Sequence, residues 1–390
     1  MRLAPHQICS GCAACQAVCA VHAIAMTPDE EGFLYPVVDP VKCVRCGRCR
    51  KACPSLGRLK ARHPLQAFAV RAKDRSLRTA SSSGGVFSLL AEMTLAAGGV
   101  VFGAVWTRDW SVAHAKAETA AELAAMRGSK YLQSRTDGVY AAVRAELAKG
   151  RQVLFSGTPC QVAALRGFLG GDDGRLLAVE VMCHAAISPK AWFAYLRARS
   201  EDWRPGSGQG DVSANFTEMT FRDKRDGWSH SAVCLRFSDG SSYRRRQAED
   251  LYMCAYCAHL ITRPSCHACR MRHFRSSADM TIGDFWGVGN HHRELMDDLG
   301  VSAVFANTDR GRAALEKILP SCDFAVTTPE RVAELNPILF VSAKAHGDRH
   351  EFLCRIGEEN FDRVFAELAS RRRKSAARRF ADWILERIKR

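Results

Sequence analysis

Residues 153–165, VLFSGTPCQVAAL, carry the reading on which the fold of this chain turns. Val153, Leu154 and Phe155 form a short apolar run that reads as a buried strand, closed by a Ser-Gly-Thr turn. Pro159 stands where a first helical residue is tolerated and Thr158 is the matching N-cap. Val162, Leu165 and Leu169 then recur at helical spacing. A strand handing over to a helix is the unit from which α/β sheets are built. It also puts Cys160 at a helix start, where a thiol can be an activated nucleophile, a metal ligand or core filling.

The same alternation extends outward. Strand-like QAFAVRA (66–72) precedes a helix from Gly85 or Val86 to Ala97 and the strand GVVFGAV (99–105). A helix from about Thr136 to Lys149, the strand LLAVEVM (176–182) and a helix from Pro189 to Arg199 follow, an α/β layout with a largely parallel sheet. EDWRPGSGQGD (201–211) is a glycine-rich break. Beyond it NFTEMTFRD (215–223) and SAVCLRFSDGSSYRRR (231–246) read as antiparallel strands, the second folding at Asp239-Gly240, so that the sheet content as a whole is mixed. From about Ala343 the chain reads as helical, with Phe361, Phe365 and Leu368 on one side and Trp383, Ile384 and Ile388 among the terminal Arg and Lys. The expected organisation is multidomain, α+β and α/β. It comprises a small cysteine-rich domain (1–57), an α/β core in two parts (65–200 and 201–342) and a basic helical tail (343–390).

The chain has 390 residues, a net charge of +15 and 17 cysteines. Its length allows two or three domains with real cores. The longest apolar stretch, residues 87–106, is broken by Glu92, Thr94 and a Gly pair, so it reads as helix then strand and not as a membrane span. The N-terminus lacks a secretory apolar run, which leads to the expectation of a cytoplasmic protein. There thiols stay reduced, and metal ligation is the better reading of many cysteines than disulfides. Much of the positive charge lies in the last 45 or so residues, where it suits an acidic protein partner, a membrane surface or nucleic acid. No zinc-finger, ribonucleoprotein or helix-turn-helix signature accompanies it, and nucleic acid is set aside.

The first 57 residues hold an internal repeat. Cys9-x2-Cys12-x2-Cys15-x3-Cys19 is followed by Cys43-x2-Cys46-x2-Cys49-x3-Cys53-Pro54, the bacterial-ferredoxin spacing for two 4Fe-4S clusters. Three thiolates on one tight turn grip three corners of a cube, and the fourth crosses to the other cluster. Cluster one therefore takes Cys9, Cys12, Cys15 and Cys53; cluster two takes Cys43, Cys46, Cys49 and Cys19. Two zinc sites are the competing reading, which two full copies and the terminal Pro disfavour. An electron-transfer module of this size leaves some 330 residues to receive or supply the electrons.

Nine cysteines remain. Cys254 and Cys257 form one C-x2-C pair and Cys266 and Cys269 another, which a zinc knuckle would explain. Cys160 and Cys183 stand at the ends of predicted parallel strands, where α/β sheets place their chemistry. His184 after Cys183 allows a Cys–His nucleophile pair. Cys234, Cys322 and Cys354 lie in apolar or amphipathic runs and read as core. SSSGGVFSLL (81–90) is a Ser/Gly turn opening a helix, a place for a phosphate. A module of one-electron carriers needs a two-electron converter before most organic substrates, and flavin is the usual one.

SSSGGVFSLL, GSKYLQS (128–134), FSGTPCQVAALRGFL (155–169), VEVMCHAAISPKAWFAYL (179–196), RPSCHAC (263–269) and ADMTIGDFWG (278–287) occur in this order. Together with the ferredoxin repeat they make the chain resemble the family of coenzyme F-420 hydrogenase/dehydrogenase beta subunits, in its version with a fused two-cluster ferredoxin. The resemblance implies FAD and a third 4Fe-4S cluster beside it, held by Cys160, Cys183, Cys266 and Cys269. It places Ser83, Gly84 and Gly85 at the flavin phosphates and Ser129, Lys130 and Tyr131 at the FAD. Gly157, Thr158, Gly283 and Asp284 fall at pocket walls. No counterpart of Cys254 and Cys257 is implied, and CHAA stands where CHG is usual. The implied function is an iron–sulfur flavoprotein oxidoreductase that passes electrons between a ferredoxin-type donor, three clusters and FAD, to an organic two-electron substrate. The alternative within the family is the subunit that oxidises or reduces coenzyme F-420, then itself a substrate, for a hydrogenase or dehydrogenase partner. A Cys–His thiol enzyme and a pure electron relay are the readings outside it. His184 is the one candidate acid, with hydrogen bonding near the cluster as its other role. Expected partners are a redox protein, either ferredoxin or another hydrogenase/dehydrogenase subunit, with membrane contact through the basic tail and oligomerisation both open.

Overall fold

The computed structural model describes residues 3–57 and 61–371. In the N-terminal unit each cysteine turn runs into a short helix, α1 (Ala14–Ala17) and later α2 (Arg48–Ala52). Between them lies an antiparallel hairpin of β1 (Ile24–Pro28) and β2 (Leu34–Val38). Each turn enters its helix through a left-handed residue, Ala13 (φ 59°) and Gly47 (φ 78°). That reversal lets successive thiols point to one side of a tight loop.

The core is one eight-stranded mixed sheet. Its first strands are β3 (Gln66–Ala72), β4 (Val100–Trp106), β5 (Val112–Ala117), β6 (Val153–Gly157) and β7 (Leu176–Val181). A separate three-stranded antiparallel sheet follows, β8 (Phe216–Asp223), β9 (Ala232–Phe237) and β10 (Ser242–Arg246). The chain then returns to the large sheet with β11 (Met280–Asp284), β12 (Ser302–Ala306) and β13 (Cys322–Thr327). The strand order is β13-β3-β12-β11-β7-β6-β4-β5, with β4, β6, β7 and β11 parallel and β5, β12 and β13 antiparallel to their neighbours. The stretches on either side of residue 200 thus share one sheet.

Sequence alternation explains why both faces are covered. Val101 and Leu154 point to the face closed by the helix Val86–Ala96 and the helix Asp309–Ile318. Val100, Phe102, Val153 and Phe155 point to the other, against the helices Val139–Ala148 and Pro159–Leu169. A two-residue period with both sets apolar is what a doubly covered sheet requires. The strand–helix unit read at 153–165 is present with Thr158 at the N-cap and Pro159 at the first helical position.

The three-stranded sheet, the helices Pro189–Trp203 and Leu251–Cys257, and residues 361–371 surround a second, aromatic core that includes Trp192, Tyr195, Phe221, Tyr252 and Phe361. Phe361 and Leu368 are buried, in keeping with their helical spacing. Residues 343–348 are not helical; the helix starts at Arg349. The basic run from residue 372 on, with Trp383, Ile384 and Ile388, lies outside the described residues. Among the described residues no helix is long and apolar enough to cross a membrane.

All parallel strands end at one edge of the sheet. The chain leaves there in the segments after Ala72, Trp106, Gly157, Val181 and Asp284, which carry every core motif that the sequence singled out except RPSCHAC and GSKY. Ligands of α/β sheets are bound at this edge.

Candidate functional site

In the ferredoxin unit, Cys9, Cys12, Cys15 and Cys53 line one cavity together with Ser10 and Ser55. Cys53 comes from the second repeat, so the crossing expected from the spacing is the one that gathers these four thiols. Burial pushes the Cys15 thiol up to about 12, and the charges of Cys9, Cys53 and Cys49 add to that. Cys49 is raised by burial and by Cys46 and Cys19, which brings three of the second set together; Cys43 precedes Cys46 on the same turn.

The remaining thiols meet at the sheet edge. Cys160 lies in the first turn of the helix Pro159–Leu169, Cys183 two residues past β7, and Cys266 and Cys269 on the turn Pro264–Ala268 and its end. All four line a single cavity. Burial pushes Cys266 up to about 12 and Cys183 well above its ordinary value, and every one of the four repels at least one of the others as an anion. Free, the thiols of Cys160, Cys183 and Cys266 stay protonated; coordination would deprotonate them outright. Four converging half-buried thiols with no disulfide among them suit a cubane. Among the described residues no three Cys, His, Asp or Glu side chains close tightly enough to hold a single metal ion.

The surroundings fix the thiols. Thr158 Oγ1 lies 3.2 Å from Cys160 Sγ, and the Ala186 N–H donates to Cys266 Sγ at 3.2 Å. Arg272 donates to the carbonyls of Cys183 and His184. The His184 ring is not presented to Cys183 as a base: its Nε2 meets His259 Nε2 at 2.7 Å, and His259 Nδ1 is held by the Lys344 carbonyl at 2.8 Å. Burial lowers His184 to about 4, which keeps it neutral.

Two cavities and one residue link the modules. Ser10 lines both, and the Cys12 thiol is raised in part by Cys160. Arg263, fully buried, donates from Nε to the Cys9 carbonyl at 2.8 Å, from Nη2 to the Leu34 carbonyl at 2.8 Å and from Nη1 to Gln133 Oε1 at 2.9 Å. It lies over the Tyr35 ring at 4.3 Å. Gly11 is needed here: its φ is +65°, and a Cβ would come within 2.6 Å of Arg263 Nη1.

The residues assigned to a flavin form a second grouping, outside the four-thiol cavity except for Thr158. Ser129 donates from its N–H and hydroxyl to Ser82 Oγ at 2.6 and 2.9 Å, which joins GSKY to SSSGG. Ser83 donates to the Val301 carbonyl, and the Gly84 N–H is taken by Ser302 Oγ at 3.0 Å. Gly85 is the left-handed N-cap of the helix Val86–Ala96. Lys130 Nζ caps the carbonyls of Arg127 and Gly128, and burial lowers it to about 8. Gly157 packs within reach of His114, Phe155 and Gln161, and Gly283 against Met182.

At the centre of this grouping stands Arg222, a residue that sequence reasoning passed over. Only 3% of its side chain is exposed; it pairs with Asp284 at 3.2 Å, lies over Trp286 and approaches the Ser82 carbonyl and the Tyr131 hydroxyl. Lys224 stands near, lowered to about 8 by burial and by Arg222. The signal was an Arg directly after Phe221 in an inward-facing stretch of β8, a buried cation that needs an anion. Glu180 was also missed. It lines the four-thiol cavity, accepts from Thr281 Oγ1 at 2.9 Å, and is raised by burial to about 7.

Cys254 and Cys257 lie in the helix Leu251–Cys257, away from the four-thiol cavity, so no four-cysteine knuckle joins the two C-x2-C pairs. Cys322 is buried and Cys234 half-buried, whereas Cys354 is exposed beside His350, so the reading of Cys354 as core is corrected.

Known proteins match most of the chain. The family model for the N-terminal part of the coenzyme F420 hydrogenase/dehydrogenase beta subunit matches residues 67–160, and the model for the C terminus of that same beta subunit matches residues 150–331. Two 4Fe-4S dicluster domain models match residues 8–56 and 35–87. An F(420)H(2) dehydrogenase subunit of Methanosarcina mazei is 26% identical over 178 residues, 41% of this chain and 48% of the relative. The chain therefore spans about half the length of the curated relative it matches. A structure of the F420-reducing [NiFe] hydrogenase complex from Methanosarcina barkeri contains a chain similar at TM-score 0.47 and 19% identity, over 80% of this chain and 93% of that one.

Proposed function

The chain belongs to the family of coenzyme F420 hydrogenase/dehydrogenase beta subunits and is an iron–sulfur oxidoreductase; from that premise we propose that it exchanges electron pairs with coenzyme F420 and single electrons with a partner protein. Membership favours F420 over an unnamed organic substrate as the two-electron partner. The clusters and FAD, when bound, supply the one-electron relay and the pairing of electrons.

The observation that carries the reading is the continuity of the thiols. The set Cys19, Cys43, Cys46 and Cys49 adjoins the set Cys9, Cys12, Cys15 and Cys53 through Cys49 and Cys15. The latter adjoins Cys160, Cys183, Cys266 and Cys269 through Cys12 and Cys160. Around these, the chain's own side chains hold positions. Arg272 and Thr158 fix the third set, and Arg263 ties it to the first. Buried Arg222 and half-buried Lys224 and Lys130 give a phosphate-bearing cofactor a cationic bed near the Ser82–Gly84 turn.

Anaerobic purification with iron, sulfide and flavin counted tests the cofactor set: about twelve irons and one FAD per chain are expected, and about eight irons without flavin overturn it. Bleaching of the F420 visible absorption, on addition of reduced viologen, tests the substrate. Flavin reduction under the same conditions without F420 bleaching refutes F420 as that substrate.

A further inference from the structure

We propose that the exposed cysteine turn at residues 39–51 is a docking port for a small acidic iron–sulfur protein that delivers or removes one electron at a time. The inference rests on the reading of Cys19, Cys43, Cys46 and Cys49 as a cluster site.

The two ends of the ferredoxin unit face different surroundings. The Cys12 carbonyl accepts from Thr136 Oγ1 and from the Tyr140 hydroxyl, both on the core. On the same side Gly167 approaches α2 so closely that a Cβ would lie 2.3 Å from the Ala52 carbonyl oxygen. The first thiol set is therefore sealed against the α/β core. At the other end Cys46 is exposed, and a Cβ on Gly47 would meet nothing within 4 Å. A protein that must bring its own redox centre close comes nearer to the second set, where Cys46 is exposed, than to the first, none of whose thiols is exposed.

The surface there has the make-up of an interface. Val41 and Val44 are 93% and 66% exposed, and Val37 on β2 is 55% exposed. They alternate with cations: Lys42, Arg45, Arg48, Arg50 and Lys51 are all exposed, while Asp39 is the one acidic residue in the stretch 39–54. Asp39 is itself engaged, accepting from the Val41 N–H and pairing with Lys42 at 3.7 Å. An apolar centre with a charged rim of one sign fits a partner of opposite charge. The patch is one turn and one short helix, the scale of a transient redox encounter and far below that of a permanent assembly. Those two points select a small acidic carrier. In the encounter one electron passes between the carrier's centre and the centre held by the second thiol set; no bond forms and no proton moves.

The test uses the full holoprotein and stopped-flow mixing with a reduced plant-type [2Fe–2S] ferredoxin, an acidic one-electron donor. Wild type should be reduced rapidly, and the rate should fall as salt rises, because screening acts over about 8 Å at physiological ionic strength. The double variant Lys42→Glu/Arg45→Glu should lose about tenfold or more in that rate, within the range of electrostatic steering. Its reduction by a viologen and its iron content should stay as in wild type, and Arg45→Lys should keep the wild-type rate. An unchanged ferredoxin rate in the double variant, with salt dependence retained, overturns the port. A wild-type protein that the viologen reduces and ferredoxin does not also overturns it. Eight ferredoxin-type irons absent from wild type would instead sink the underlying cluster reading.

Discussion

Replacing Arg263 should separate the potentials of the three clusters in a defined pattern. Its guanidinium is fully buried and donates to two backbone carbonyls and one side-chain amide. Among the described residues no ion pair joins it to a carboxylate. Its charge acts on Cys9, Cys160 and Cys266, one thiol of the first set and two of the third. A buried cation beside a cluster favours the reduced, more negative state. Taking about 8 Å from guanidinium to cluster centre and an effective dielectric of about 20, Coulomb's law gives about 2 kcal/mol per cluster. At about 2.3 kcal/mol per 100 mV that is roughly 90 mV. Arg263→Met should therefore lower the midpoint potentials of clusters one and three by roughly that amount. Arg263→Lys, which keeps the charge, should move them much less. Cluster two should move little in either variant. The assay is a potentiometric titration followed by electron paramagnetic resonance, with signals assigned by Cys46→Ser and Cys160→Ser and with iron counted in every sample. The methionine variant also strands the buried Cys9 carbonyl, at a cost of about 1–3 kcal/mol, and two part-buried acceptors, so a lower melting point is expected alongside. Equal shifts at all three clusters, or none at full iron content, would refute the reasoning.

Three further outcomes are expected. Cys160→Ala should cost one cluster out of three, taking iron from about twelve to about eight per chain while leaving the ferredoxin signals in place; unchanged iron would remove Cys160 from the ligand set. Arg222→Lys should weaken FAD binding to the flavin-free protein by about tenfold or more, since a charge-assisted hydrogen bond is worth about 1.5–3 kcal/mol, without loss of iron; a fluorescence titration with wild-type affinity would place the flavin elsewhere. Glu180, raised from 4.5 to about 7 by burial, favours the folded state in acid. That contribution is complete below about pH 4.5 and is lost as pH rises through about 7, a swing of about 3 kcal/mol. Glu180→Gln should therefore be more stable than wild type above pH 7 and equal to it or weaker near pH 4.5; parallel melting curves from pH 4.5 to 8 would show that the carboxyl titrates normally.

The parts of this molecule that could be read from the sequence are those whose geometry is local. Three cysteines spaced by two residues grip a cluster corner by corner, so the ferredoxin unit is written in twenty or so residues at a time. The same holds for VLFSGTPCQVAAL, where an apolar triplet, a turn and a Pro after a capping Thr dictate strand then helix. Strands β12 and β13 went unread because their pairing is settled by distant partners: β12 lies between β11 and β3, and β13 pairs with β3 across some 250 residues. The third set of thiols is intermediate. Each cysteine's strand-end or C-x2-C position was legible, and only the sheet order brings Cys160, Cys183, Cys266 and Cys269 to one cavity. Arg222, Arg263 and Glu180 gave no motif at all. Their meaning lies in being charged or ionisable and buried, which depends on tertiary surroundings and which a protein tolerates only where something compensates. For Arg263 neutral hydrogen bonds and the faces of Tyr35 and Phe33 serve in the described structure, and the clusters that flank it in the proposed holoprotein are anionic. The conformational demand on Gly11, a residue that in the sequence reads as a spacer between two ligands, follows from the same place: the ferredoxin loop has to leave room for a cation that arrives from the loop of the third set. The two modules are thus fitted to one another at a single side chain, and a chimaera that exchanged the ferredoxin unit without Gly11 would have to displace the Arg263 guanidinium to fold.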